Sequence, residues 1–111
     1  MGRVFILVGR SASGKTSLQN WLAEILNAPI HVSCTTRAQR DGEFDGIDYY
    51  FITREQFLSQ DMLEKAEFDG NWYGIQKRDF EEVLNQNKIS LLITEQSGAK
   101  LFKKLYGDNV V

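Results

Sequence analysis

Val4-Phe5-Ile6-Leu7-Val8 runs directly into Gly9-Arg10-Ser11-Ala12-Ser13-Gly14-Lys15-Thr16. The first five residues are continuously apolar, the pattern of a strand buried on both faces. The next eight fit G-x-x-x-x-G-K-[ST], a spacing that lets backbone wrap a phosphate group. Gly9 and Gly14 allow close approach without a Cβ clash. Successive N–H groups of the loop turn inward as an anion nest, and a helix starting near Gly14 adds the positive end of its dipole. Lys15 supplies a point charge to the β/γ phosphates, and the Thr16 hydroxyl is placed to coordinate Mg²⁺. Downstream, Leu18, Trp21, Leu22, Ile25 and Leu26 recur at helical spacing. They predict an amphipathic helix ending near Asn27, with Trp21 in its core. The plainer alternative is a Gly/Ser loop joining strand to helix. The loop alone does not say where a phosphate is transferred.

Working outward, Ile30 to Ser33 reads as a second short strand and residues 37–48 as a polar loop. Tyr49 to Ile52 reads as another strand. Thr53-Arg54-Glu55-Gln56 has the form of a capping box opening a short helix that carries Phe57 and Leu58. Two short strands, Glu64–Phe68 and Trp72–Tyr73, are joined by a turn at Asp69-Gly70-Asn71. Phe80, Val83 and Leu84 predict a helix over 77–86, and Ile89 to Ile93 a buried strand. Ser97 is a candidate cap for a helix with Ala99, Phe102 and Tyr106 on one face, ended by Gly107. Val110 and Val111 begin a further strand. Strand–loop–helix units around a small β-rich insertion predict an α/β fold with a parallel core sheet.

Composition narrows the function classes. The chain has 111 residues, enough for one domain. No apolar run reaches the length of a membrane span, and no signal peptide is apparent. The single cysteine, Cys34, has no internal partner, in keeping with a reducing, cytoplasmic setting. Residues 1–40 carry five Lys/Arg (Arg3, Arg10, Lys15, Arg37 and Arg40) against Glu24, whereas the whole chain is −2. Chance or a small anionic ligand near the first third explains this asymmetry. The acidic remainder argues against binding duplex nucleic acid. His31, beside Pro29 and Ile30, reads as structural, Cys34 as a small buried residue, and no Cys/His set has zinc-ligand spacing.

Arg37 and Arg40 stand three apart in a polar loop, where arginine suits a bidentate grip on phosphate. Two solvated surface arginines are the bland alternative. The Tyr49 hydroxyl can donate to the same phosphate, or Tyr49 is simply a strand residue. The Glu64 carboxylate can accept from a ring N–H and an exocyclic amine together, a pair that guanine presents and adenine does not, or it is an ordinary surface glutamate.

At these residues the sequence resembles the guanylate kinases, in order along essentially the whole chain. Residues 9–16 resemble their P-loop. Val32-Ser33-Cys34-Thr35-Thr36-Arg37, with Arg40, Gly42, Glu43, Gly46, Asp48 and Tyr49, resembles their GMP-phosphate segment. Residues 64–74 resemble the segment that closes on guanine. The resemblance implies a P-loop NTPase-type fold, with a core over 1–32 and 76–111 and a GMP-binding subdomain over 33–75. It implies the reaction ATP + GMP → ADP + GDP with Mg²⁺. Gly9, Arg10, Ser11, Ala12, Ser13, Gly14, Lys15 and Thr16 would hold the ATP phosphates. Ser33 and Glu64 would contact guanine, and Arg37, Arg40, Tyr49 and Tyr73 the GMP phosphate, with Lys15, Arg37 and Arg40 as the catalytic cations.

The chain also departs from the family pattern. Ile75 stands where Ser or Thr usually follows Tyr-Gly. Ile93 replaces the first of two acidic residues after the third core strand, and Glu95 could stand in for the second, which faces guanine. The lid and the last elements of the family fold would lie beyond Val111. These 111 residues are therefore expected to hold GMP better than they turn it over, and their open sheet edge offers a route to a homo-oligomer. A kinase for another phosphorylated small molecule and a non-catalytic interaction module stay open as alternatives.

Overall fold

A computed structural model describes residues 2–8, 15–94 and 96–111, with only the backbone of 15–18. Along the chain run β1 (Arg3–Val8), α1 (Lys15–Leu26), β2 (Cys34–Thr35), β3 (Tyr50–Phe51), α2 (Arg54–Ser59), β4 (Met62–Phe68), β5 (Asn71–Gln76), α3 (Lys77–Gln86), β6 (Ile89–Thr94), α4 (Gln96–Tyr106) and a 3-10 turn at Gly107–Asn109. They fall into two units, Met1–His31 with Glu81–Val111, and Val32–Phe80.

In the first unit, β1 and β6 pair in parallel from Arg3↔Ile89 to Val8↔Thr94. Single parallel bridges extend the ladder on both sides, Ile30↔Leu91 beyond β6 and Val4↔Val110 beyond β1. Backbone bonds tie these flanks: His31 N–H to the Leu91 carbonyl at 2.8 Å, and Val111 N–H to the Val4 carbonyl at 2.9 Å. The strand buried on both faces is β6, with Ser90, Leu91, Leu92 and Thr94 all buried. In β1 only Val4 is fully buried. α1 ends as its sequence predicts. Asn27 takes φ +50°, and the Ala28 and Asn27 N–H groups reach back to the Ala23 and Glu24 carbonyls, a Schellman ending.

Beyond β1, which is not buried on both faces as expected, three expectations need correction. Trp21 does not lie in a core; it is 58% exposed, as Ile25 and Leu26 are exposed. The apolar stripe of α1 is wider than the surface that covers it among the described residues. The strand expected over Ile30–Ser33 shrinks to the bridge at Ile30, and strand pairing resumes at Cys34 in the other unit. Ser97 lies inside α4, which already begins at Gln96. The face shared by Phe102 and Tyr106 is present, their rings stacked 6.5 Å apart, and Gly107 at φ +54° ends the helix.

The second unit is a four-stranded sheet in the order β3-β2-β5-β4. β2 runs parallel to β3 and antiparallel to β5, which is antiparallel to β4. The turn between β4 and β5 is the two-residue Asp69-Gly70. Both have positive φ (+52° and +80°), as a type I′ hairpin demands. The capping box of α2 is complete: Gln56 N–H donates to Thr53 Oγ1 at 3.0 Å, and Thr53 N–H to Gln56 Oε1 at 2.9 Å. It seats Phe57 in a core with Cys34 and Met62, flanked by Tyr50, Ile52 and Trp72. Replacing Thr53 by alanine removes one half of the box. An expected loss of about 1 kcal/mol should appear as a lower urea midpoint.

Candidate functional site

The second unit gathers Tyr49, Phe51, Tyr73 and Glu43 around the Arg37 guanidinium. Register does much of this. Thr35 lies opposite Tyr73 across β5 and opposite Phe51 across β3. Directly paired residues share a sheet face. The Thr35 side chain then turns the chain: its Oγ1 accepts from Arg37 N–H at 3.1 Å and donates to the Trp72 carbonyl at 3.0 Å. Ser33 precedes β2 and its carbonyl accepts from Tyr50 N–H at 2.9 Å.

This brings the Arg37 guanidinium over the Tyr49 ring, 5.3 Å from its centroid, and the Phe51 ring at 5.8 Å. Tyr49 meets Phe51 and Tyr73 edge to face at 5.8 and 5.9 Å. Ring faces attract a cation and hold its plane. Glu43 grips the guanidinium end-on: Nη1 donates to Oε1 at 3.0 Å and Nη2 to Oε2 at 2.9 Å. That ion pair holds the Glu43 carboxyl below the usual carboxylate range, helped by the Arg40 backbone N–H, and drives the Arg37 pKa up. The Tyr73 hydroxyl acts on the same guanidinium.

The loop between Arg37 and Tyr49 keeps its shape through acids bonded to backbone N–H groups. Glu43 accepts from Arg40, Asp45 from Phe51 and Asp48 from Phe44. Gly42 and Gly46, at φ +85° and +82°, make the two sharp turns. Arg40 is exposed in this loop. Glu64 sits one strand beyond Tyr73, where the β4–β5 register shifts between Leu63 and Ala66. Its φ of +53° is unusual for a non-glycine residue. A bulge of this kind re-aims a side chain, and such strain gathers at functional positions. Ile75, paired with Leu63, is fully buried and belongs to the packing of the sheet.

The rest of the expected site lies outside the described residues: the P-loop pattern at 9–14, the side chains of Lys15 and Thr16, and Glu95. Its setting is described. β1 ends at Val8 and α1 begins at Lys15, so the pattern joins a strand of a parallel sheet to a helix. Among the described residues no group of His, Cys, Asp and Glu has the makings of a metal site. No helix among them is long and apolar enough to cross a membrane. Sequence reasoning assigned no role to Glu43, Thr35 or Phe51. Only an acid six residues after Arg37 hinted at the pair.

A parallel sheet, with a P-loop sequence pattern between its first strand and the first helix and a second, mainly antiparallel sheet inserted in the chain, defines an α/β protein of the P-loop NTPase type. The family model described as guanylate kinase matches residues 1–108, and the chain belongs to that family. The guanylate kinase of Symbiobacterium thermophilum is 40% identical over 114 residues, covering 98% of this chain and 54% of its own length. That of Thermotoga maritima is 39% identical over 114 residues, covering 98% and 55%. The crystal structure of guanylate kinase from Anaplasma phagocytophilum superposes with a TM-score of 0.73 at 34% identity, covering 99% of this chain and 57% of that one. The chain thus spans about half the length of the curated relatives it matches.

Proposed function

We propose that this chain is the nucleotide-gripping part of a cytoplasmic guanylate kinase, which transfers the γ-phosphoryl group of ATP to GMP. The observation that carries the reading is the seat of Arg37, held in place by Tyr49, Phe51 and Glu43 beside Tyr73. In this reading Arg37, Arg40, Tyr49 and Tyr73 bind the GMP phosphate. Ser33, Glu64 and Glu95 face guanine, and residues 9–16 hold the ATP phosphates. The Thr16 hydroxyl, in the first turn after the P-loop, would hold Mg²⁺, which neutralises charge between the β- and γ-phosphates when bound. The protein's own part is to align the two phosphates and stabilise charge; no side chain serves as a nucleophile.

Calorimetric titration with GMP, and AMP as control, tests the acceptor site. Saturable GMP binding with much weaker AMP binding is expected, and equal affinities would remove guanine recognition. In Glu64→Gln the carboxylate is lost and a donor faces the guanine N–H groups. The GMP-over-AMP preference should fall by about 1–3 kcal/mol. An unchanged preference takes Glu64 out of the base site. A second reading, a different phosphorylated acceptor, draws on Ile75, whose buried side chain offers no hydroxyl at that position. It predicts that another monophosphate binds where GMP does not.

A further inference from the structure

Glu43 makes more contacts than an ordinary loop acid. Its Oε1 accepts from Arg37 Nη1 and, at 2.8 Å, from the Arg40 backbone N–H; its Oε2 accepts from Arg37 Nη2. Its own backbone closes the loop. The Glu43 N–H donates to the Arg40 carbonyl at 3.1 Å, and its carbonyl accepts from Gln39 Nε2 at 2.7 Å. One carboxylate therefore binds both arginine positions at once, Arg37 by its side chain and Arg40 by its backbone. The pair is partly shielded, with side chains 12% and 21% exposed.

The way the guanidinium is shared matters. An arginine has two edges that can grip an oxyanion in a fork, one of Nη1 with Nη2 and one of Nε with Nη2. Glu43 takes the first, and Nη1 also donates to the Ala38 carbonyl at 3.1 Å. Glu43 and Ala38 thus leave the Nε/Nη2 edge to other groups; the Tyr73 hydroxyl, which also bonds to this guanidinium, can share a second oxyanion with it. The rings of Tyr49 and Phe51, with centroids 5.3 and 5.8 Å from Cζ, restrict where that edge can move. A free arginine would have to lose rotamer freedom on gripping phosphate; an arginine already clamped along one edge loses little.

The geometry points to Glu43 as a positioning residue of the acceptor-phosphate site: it clamps one edge of Arg37 and the backbone of Arg40 so that the other edge of Arg37 is presented to the phosphate of the nucleoside monophosphate. This assignment rests on the proposed function and deepens it. An opposite effect of Glu43 is conceivable on charge alone, since a carboxylate repels a phosphate dianion. The clamp outweighs it here. Repulsion between partly exposed charges is weakened by water and salt, whereas a misaligned fork loses both of its charged hydrogen bonds.

The test compares the native chain with Glu43→Gln and Glu43→Asp, each checked for an unchanged far-UV spectrum. Affinities for GMP and for guanosine are measured by NMR titration. Their ratio isolates what the phosphate adds, and a general loosening of the fold would weaken both ligands alike. Gln keeps the length and loses the charge; Asp keeps the charge and loses the reach. The clamp predicts that the ratio falls about tenfold or more in Gln and clearly in Asp, with guanosine affinity unchanged. A ratio that rises in Gln and holds in Asp would mean that Glu43 acts by repulsion, and the assignment is overturned. A ratio unchanged in both overturns it as well. If the native chain does not bind GMP, the proposed function itself fails and the assignment goes with it.

Discussion

Phe57→Ala is expected to cost the Val32–Phe80 unit about 3–5 kcal/mol, the usual range for emptying a buried phenylalanine site. Phe57 is 0% exposed and stacks on Trp72 with ring centroids 6.0 Å apart. It presses so close to β5 that a Cβ added at Gly74 would lie 3.2 Å from the end of its ring. The one-turn-and-a-half helix that carries it has no other buried residue, so the helix itself offers nothing to refill the space. A unit of this size has roughly 2–7 kcal/mol to lose, at about 0.05–0.15 kcal/mol per residue. The substitution should therefore leave it largely unfolded. Hydrogen exchange at the Thr35 and Tyr73 amides reads this directly, and GMP binding should disappear with it. Phe57→Leu, which keeps most of the volume, should retain both. A loss under about 1 kcal/mol in Phe57→Ala would show that the site collapses, and that Phe57 is not the keystone of this core.

The second large effect is a dependence on acidity. His31 is 6% exposed, its Nε2 lies 2.8 Å from Ser90 Oγ, and its backbone is bonded to Leu91. Burial lowers its pKa from 6.5 to about 4, because the charged ring would lose its water. The sign follows from proton counting. Between pH 6.5 and about 4 the unfolded chain binds a proton at His31 that the folded chain does not. Stability from this residue is complete above pH 6.5 and is lost as pH falls toward 4. The loss amounts to about 3 kcal/mol at most. Urea denaturation at pH 7, 5.5 and 4.5 should show it. In His31→Gln this part of the slope should be missing, so the two chains converge in stability as pH falls. Parallel slopes would assign the acid sensitivity to other groups.

Much of the architecture was legible in the residues because short-range physics sets it. The strand and helix at the N-terminus follow from hydrophobic period, on either side of the glycine-rich stretch at 9–14. α3 matches the helix expected over 77–86. The capping box at Thr53 and the Asp69-Gly70 turn were readable because their partners lie within three residues. The roles proposed for Arg37, Arg40, Tyr49, Glu64 and Tyr73 came from resemblance to guanylate kinases. Residue type alone left each of them open to a plain surface reading.

Other features depended on partners far along the chain or on backbone shape. Trp21 looked like core because period marks an apolar face without saying whether anything packs on it. Ile30 to Ser33 looked like one strand, yet Ile30 pairs with β6 while Cys34 pairs with Gly74 and Tyr50. Ile75 looked like a lost polar contact, and its register opposite Leu63 makes it packing. The positive φ at Glu64 arises from a register shift that only the pairing of β4 with β5 creates.

By itself, then, the sequence determined most of the element order, the Thr53 capping box and the Asp69-Gly70 turn, since each rests on neighbours a few residues apart. Only the tertiary structure decided that Thr35, Phe51 and Tyr73 lie in one row, that Glu43 closes on Arg37, and that Glu64 stands on a bulge. Those outcomes come from strand register and loop closure, in which residues distant in sequence set each other's positions.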